Sequence, residues 1–337
     1  MKQKLSILLL SLCLLVVTGC REFYEYFDSV EPKVLKVKDY ASGLKSPLGL
    51  ALDAKQQLWV TELGTGKDDG TVSVFVNGKK NVVIEDFPST IGDEGLVGLN
   101  HLLVKDGMAY ILHTNGYLYK ADISSFTPGD TPLKAKNLEK ENIGAFVLDY
   151  DFEADTEESN PYNLTAGPVG DIFITDAAAN AVIRRSLSGE LSVFTTFPNI
   201  ANPTPVGPPS IHAVPTSIAF NKQTFYVTTL TGFPFPTGQA RIFSVDLSGK
   251  VSLYQDGFTT LTNMTFDPVY NPVVVEHAQF TQQGFAPNTG RMVVATTNGP
   301  AKLITGLNQP TAIVRSGPLT YYVNSLADGK IVKVTNQ

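Results

Sequence analysis

The chain has almost no cysteine. Two occur in 337 residues, Cys13 and Cys20, both near the N-terminus. A chain beginning at Cys20 can close no internal disulfide, so packing and hydrogen bonds must hold its fold. Charge is scarce too: Asp, Glu, Lys and Arg make up 17%, below the usual quarter. The net charge is −6 and no basic stripe interrupts it, which argues against a nucleic-acid partner. No Gly-x-Ser-x-Gly is present for a serine hydrolase. No long amphipathic helical period appears after the first 20 residues. The N-terminal apolar run, Leu5 to Val17, is about 13 residues, short of the about 20 that cross a bilayer. What the chain has in quantity is punctuation, 28 glycines and 21 prolines. That composition suits many short strands joined by tight turns.

Lys2 and Lys4 precede the apolar run, and Thr18, Gly19 and Cys20 follow it. A positive head, a short apolar core and a small residue before the cut form a secretory signal, expected over residues 1–19. Val17-Thr18-Gly19-Cys20 resembles a bacterial lipobox. The resemblance implies cleavage before Cys20 and acylation of its thiol, with 20–32 as a tether and the membrane as a partner. Arg21, where an Asp would favour inner-membrane retention, points to the outer membrane, on its periplasmic or surface face.

A phrase returns along the rest of the chain. Residues 47–61 read Pro-x-Gly-Leu-Ala-Leu, then Trp59-Val60-Thr61; 215–228 read Pro-x-Ser-Ile-Ala-Phe, then Phe225-Tyr226-Val227-Thr228; 310–324 read Pro-x-Ala-Ile-Val, then Tyr321-Tyr322-Val323-Asn324. An alternating strand leads through a turn to an aromatic-Val strand each time. A period of roughly 45 residues marks a β-propeller. Six blades are expected, over 44–88, 95–137, 143–198, 214–259, 261–306 and 310–335. Asn77-Gly78, Ser188-Gly189 and Ser248-Gly249 supply hairpin turns between third and fourth strands. The last blade is one strand short, and Val34–Tyr40 resembles a fourth strand. The expected fold is therefore all-β, a six-bladed propeller over 33–337 whose N-terminal strand closes the last blade and leaves no wet edge.

Ser159-Asn160-Pro161-Tyr162 with Ile174–Asn180, Val214–Ala219 with Leu230-Thr231-Gly232-Phe233-Pro234-Phe235-Pro236, and Gly257-Phe258-Thr259 with Phe266-Asp267-Pro268 resemble the ScyD/ScyE-type propellers, secreted relatives of the NHL-repeat proteins. The resemblance is firm over 44–63 and 159–268 and weak over 95–145. That family is named for an association with sunscreen-pigment biosynthesis. The resemblance therefore implies an architecture and a compartment, and no catalytic mechanism.

Aligning the blades on the aromatic-Val step puts one polar residue at each second-strand exit: Glu62, His113, Asp176, Thr229, His277 and Ser325, with Glu276 the alternative to His277. A ring of carboxylates and imidazoles around a channel mouth could bind a cation or move a proton. Strand-end Asp, Thr and Ser also commonly satisfy the following turn, and the Asp176/Asn180 pair of NHL-like repeats is mostly structural. His101 and His212 fall near the same face. Phe233 and Phe235, braced by prolines, could stack on a ring or sugar, or cap the channel. Pro203–Pro209 is expected to be a stiff loop beside them. The acidic run 149–158 invites calcium. It lacks the EF-hand glycine and final Glu, at Ala154 and Asn160, and reads better as a solvated insertion.

The expected function is a lipid-anchored, monomeric propeller binding a small molecule, glycan or partner protein on this face without catalysis. The alternative is a divalent-metal hydrolase of the gluconolactonase type. Lys45-Ser46, Gln309 and Thr311 stand where that family's Glu and Asp should be, and Asn263 is the one Asn that matches. Replacing Cys20 by Ser should leave the precursor uncleaved by the lipoprotein signal peptidase. Fractionation that still finds processed Cys20→Ser protein on membranes would refute lipidation.

Overall fold

The computed structural model describes residues 35–93, 95–154 and 156–336. The expected signal peptide, 1–19, and tether, 20–32, lie outside the described residues. Six antiparallel sheets form the blades of a propeller. Blade one holds Pro47–Leu52, Leu58–Glu62, Gly70–Val76 and Lys79–Phe87; blade two Leu99–Lys105, Met108–His113, Tyr117–Asp122 and Glu139–Asn142. Blade three holds Pro161–Ala166, Ile172–Asp176, Ala181–Arg185 and Leu191–Thr196; blade four Pro215–Asn221, Thr224–Thr229, Ala240–Val245 and Val251–Phe258. Blade five holds Leu261–Phe266, Pro272–Glu276, Gly290–Thr296 and Gly299–Leu307; blade six Ile313–Gly317, Thr320–Ser325 and Lys330–Thr335.

The fourth strand of blade six is Lys36–Ala41, antiparallel to Lys330–Thr335 from Lys36↔Thr335 to Ala41↔Ile331. Tyr40 on this strand touches Tyr322 of blade six, ring centroids 4.7 Å apart, and Phe75 of blade one at 5.3 Å. One aromatic from the N-terminal segment thus joins the first blade to the last.

The core lies between blades. Each sheet presents alternate residues to its two neighbours, and a buried apolar cluster fills each of the six interfaces among the described residues. Trp59, Phe87, Leu99 and Ile111 meet between blades one and two; Phe173, Phe225 and Phe243 between three and four. Hairpin chemistry follows the turn residues: Asn77 and Gly78 adopt φ of 51° and 76°, both positive as a two-residue turn requires.

Blade two departs from its expected span, 95–137. After Asp122 the chain crosses to blade one and lays Leu133–Lys134 parallel to Ile84 and Glu85. Lys134 Nζ reaches Glu85 and Asp86, 2.7 Å each. This detour covers an exposed sheet edge, and the strand that completes blade two comes only afterwards. Between blades two and three a short helix, Ile143–Leu148, is capped by Asn142, whose side chain accepts the Ala145 N–H at 2.9 Å. It buries Ile143 and Val147 in the interface. The sheet of blade three therefore begins at Pro161, later than the expected 143.

A repeated irregularity ties the ring together. First strands of blades one to five carry a bulge near their start, at 47–50, 99–102, 161–163, 215–217 and 261–263. A bulge breaks the ladder and frees backbone groups. Side chains take up these carbonyls across every interface. Thr61 Oγ1 donates to Asn100 O at 2.7 Å, and Asn100 Nδ2 to Pro161 O at 2.8 Å. Thr175 Oγ1 reaches Thr216 O at 3.4 Å, and Thr216 Oγ1 donates to Leu261 O at 2.8 Å. Thr262 Oγ1 donates to Pro310 O at 3.0 Å, and Thr311 Oγ1 returns to Leu48 O at 2.7 Å. Asn324 adds two bonds at the closing interface, Nδ2 to Pro47 O and Leu48 O at 2.8 and 2.9 Å.

Deleting 21–41 should expose the outer edge of blade six and strip Tyr40 from the closing interface, so the protein should melt far lower or aggregate. Deleting 21–30 should leave the melting temperature unchanged. Equal melting of the two truncations would show that the strand contributes no closure.

Candidate functional site

Because strand residues alternate in direction, the last residue of a second strand and the one after it face opposite ways. A cavity of about 760 Å³ opens at the channel mouth, and the residue after the strand lines it: Thr114, Ala177, Leu230, His277 and Leu326. A second ring comes from the bulges, namely Leu48, Tyr162, Thr216 and Thr262, with Thr311 at the matching place in blade six. These are the x of Pro-x-Gly, Pro-x-Ser and Pro-x-Ala and its counterparts. Ser159, Asn160, Glu157 and Glu158, from the loop before blade three, form part of the rim.

Two blades meet across the channel. His101 of blade two and Asn263 of blade five come from opposite sides, and Nδ1 faces Nδ2 at 3.5 Å. The His101 ring meets the Tyr162 edge, centroids 4.9 Å apart. Burial lowers the His101 pKa to about 3, so the imidazole is neutral, and burial raises that of the Tyr162 phenol.

The strand-end residues turn the other way. Glu62 is 1% exposed. Its carboxylate accepts the Lys45 N–H at 2.8 Å and the Thr71 hydroxyl at 3.1 Å, and it pairs with Lys80. Asp176 accepts Ser159 Oγ at 2.6 Å, Asn160 N at 2.8 Å and Ala179 N at 3.0 Å. Burial raises its pKa against those bonds. Thr229 Oγ1 accepts the Arg241 N–H at 3.0 Å, and Ser325 Oγ donates to Asn308 O at 2.6 Å. His113 Nε2 meets Pro88 O at 2.9 Å while its Nδ1 accepts Asn115 N at 3.0 Å, so both ring nitrogens are engaged. The pairing places Glu276, not His277, at the aligned position, opposite Leu261. Glu276 accepts the Thr259 N–H at 2.7 Å and pairs with Arg291. Glu62, His113, Asp176, Thr229 and Ser325 therefore hold turns around the mouth instead of lining it. Of the expected ring, His277 alone reaches the cavity, because it stands one residue beyond the register of the others.

Phe233 and Phe235 stand beside the cavity. The loop after blade four brings them to Phe280 and Phe285, on the short excursion between the second and third strands of blade five. Phe235 lies 4.9 Å from Phe280 and 5.4 Å from Phe285; Phe233 lies 6.1 Å from Phe280 and is half exposed. Phe285 lines the cavity and stands 5.0 Å from His277. His212 lies elsewhere, in a separate depression of about 400 Å³ with Phe152, Asn180 and Phe197.

Among the described residues no three His, Cys, Asp or Glu side chains come close enough to hold a metal. In the acidic insertion, Asp149, Asp151 and Glu153 are exposed while Phe152 is buried; Asp155 lies outside the described residues. Of the gluconolactonase-type ligands, Asn263 is present, and its Oδ1 accepts the Ile313 N–H at 3.2 Å.

No protein-family model and no curated protein matches the chain. Solved propellers do. A candidate gluconolactonase is 13% identical with a TM-score of 0.54, over 90% of this chain and 92% of its own. Virginiamycin B lyase from Staphylococcus aureus is 15% identical with a TM-score of 0.52, over 90% and 99%. The PQQ-bound aldose sugar dehydrogenase from Streptomyces coelicolor is 13% identical with a TM-score of 0.56, over 91% and 99%. Likeness at this identity shows the propeller fold and nothing of the chemistry.

The buried imidazoles make stability depend on pH. Burial lowers His277 to about 4 and lowers His113 as well, alongside His101. Below an unfolded-state pKa of about 6.5 the unfolded chain binds protons that the folded chain refuses, so stability falls with pH. Each such histidine contributes about 1.4 kcal/mol per pH unit until its folded pKa is reached. Melting temperature should drop steadily from pH 6.5 to 4.5, and His101→Asn should flatten the slope. An unchanged slope would mean that His101 is protonated in the folded protein.

Proposed function

We propose that this protein is a ligand-binding propeller that takes a small molecule into the mouth cavity. One observation carries the reading: the cavity at the channel mouth is built by residues from every blade. Its volume, about 760 Å³, lies within the range of small-molecule sites. Its composition fits that use, with apolar Leu48, Val97, Leu148, Val214, Leu230, Phe285 and Leu326 around a few polar groups. The site is non-catalytic in this proposal, since the buried carboxylates at the strand exits are engaged in turns. The lipobox supports attachment through Cys20 to a bacterial outer membrane, and the quoted motifs support ScyD/ScyE kinship. Both belong to the proposal.

The alternative is a divalent-metal hydrolase of the gluconolactonase type, which shares the fold. It needs several metal donors over the channel, and the lining supplies no such set. Elemental analysis of the purified protein separates the two. We expect well under one divalent ion per chain after dialysis, and ligand-induced thermal stabilisation that Leu230→Trp, filling the mouth, abolishes. A stoichiometric metal retained through dialysis, with lactone hydrolysis lost on chelation, would replace the binding reading by the enzymatic one.

A further inference from the structure

The polar atoms facing the mouth are almost all hydrogen-bond acceptors. The hydroxyl protons of its Ser and Thr residues are already used. Thr114 donates to Gly98 O at 2.7 Å and Ser159 to Asp176 at 2.6 Å. Thr216, Thr262 and Thr311 donate to the carbonyls of Leu261, Pro310 and Leu48. What these groups retain toward the cavity is oxygen lone pairs. Glu157 and Glu158 add carboxylates, and among the described residues the lining contains no Lys or Arg. Tyr162 and Asn160 remain as possible donors.

His277 completes the pattern. Its Nδ1 stands 3.2 Å from the carbonyl of Pro310. A carbonyl only accepts, so Nδ1 carries the proton, and in the neutral ring Nε2 carries a lone pair. Nε2 makes no hydrogen bond among the described residues, where the ring bonds through Nδ1; the ring is partly exposed and lines the cavity beside Phe285. His113 is the opposite tautomer, since its Nε2 meets the Pro88 carbonyl and its Nδ1 accepts an N–H. The same residue type is thus closed off in one blade and left open in another.

We propose that His277 Nε2 is the recognition acceptor of the mouth site, and that the site selects a flat apolar ligand, neutral or cationic, presenting an N–H or O–H donor. The inference rests on the mouth-cavity reading and adds its ligand chemistry. Anions are disfavoured by the Glu158 carboxylate at the rim and by a lining without Lys or Arg among the described residues. Ligands with acceptors alone would leave His277 Nε2 unpaired, which is costly in a partly desolvated site. Phe285, backed by Phe235 and Phe280, supplies the face on which a ring stacks.

The test uses three probes on one ring system at pH 7: 2-naphthol, 2-methoxynaphthalene and 2-naphthoate. Binding is followed by ligand-observed NMR with the lipid-free protein. We expect 2-naphthol to bind about five- to tenfold tighter than its methyl ether, the range one net hydrogen bond supplies, and 2-naphthoate to bind most weakly. His277→Phe should erase the preference for naphthol while retaining both neutral probes. Preference that survives His277→Phe, or naphthoate binding as tightly as naphthol, overturns the inference but leaves the mouth reading standing. Binding of all three that ignores Leu230→Trp overturns both. A ligand-free measurement guards against a misfolded variant. The chain has four histidines, so ¹⁵N-histidine spectra of the unaltered protein can resolve each tautomer. Protonated Nδ1 on His277 and protonated Nε2 on His113 are expected; a proton on His277 Nε2 sinks the proposal.

Discussion

Buried side chains that donate to carbonyls at the start of the next blade's first strand hold this molecule in a ring. Apolar packing between blades would allow neighbouring sheets to slide, because dispersion and burial are not directional. A hydroxyl or amide aimed at one carbonyl sets register as well as contact. Each bond contributes about 1 kcal/mol net, and a buried carbonyl left without it costs about 1–3 kcal/mol. The bulges also decide where function can sit. By breaking the ladder at the start of a strand they turn one residue per blade toward the axis, so the same defect that joins the blades builds the cavity wall.

This double use explains which chemistry remains for a ligand. Threonine appears at the bulge in blades four and five and at the matching place in blade six, and in each its proton goes to the next blade. Structural bonding leaves a surface of lone pairs. The carboxylates that might have balanced it with charge chemistry point outward into turns. The ring of turns and the ring of lining residues are neighbours in sequence and serve different ends.

The propeller was legible from the repeat because each blade must alternate apolar residues for two neighbours, and that period shows in Pro47–Leu52, Pro215–Asn221 and their partners. Closure by the N-terminal strand was legible from a missing fourth strand at 310–335. Blade two was not. Its fourth strand, Glu139–Asn142, is charged and short, and the detour through Leu133–Lys134 carries no period. The site was only half legible. Alignment found the second-strand exits, but polarity drew attention to Glu62, Asp176 and their counterparts, whose polarity serves backbone N–H groups. The lining lay one residue later, where Ala177 and Leu230 look unremarkable, and in the x of the repeated phrase. A variable place inside a repeat is where a ring of like blades can differ without breaking, and Leu48, Tyr162 and Thr216 show that variation.

The direction of the closing strand carries one more consequence. Lys36 enters beside Thr335 and Ala41 leaves toward Pro47, where the cavity opens. The strand therefore climbs from the base of the cup to its rim. The described chain thus enters the ring on the face opposite the mouth cavity, and the two faces of the propeller are divided between chain entry and the lining residues.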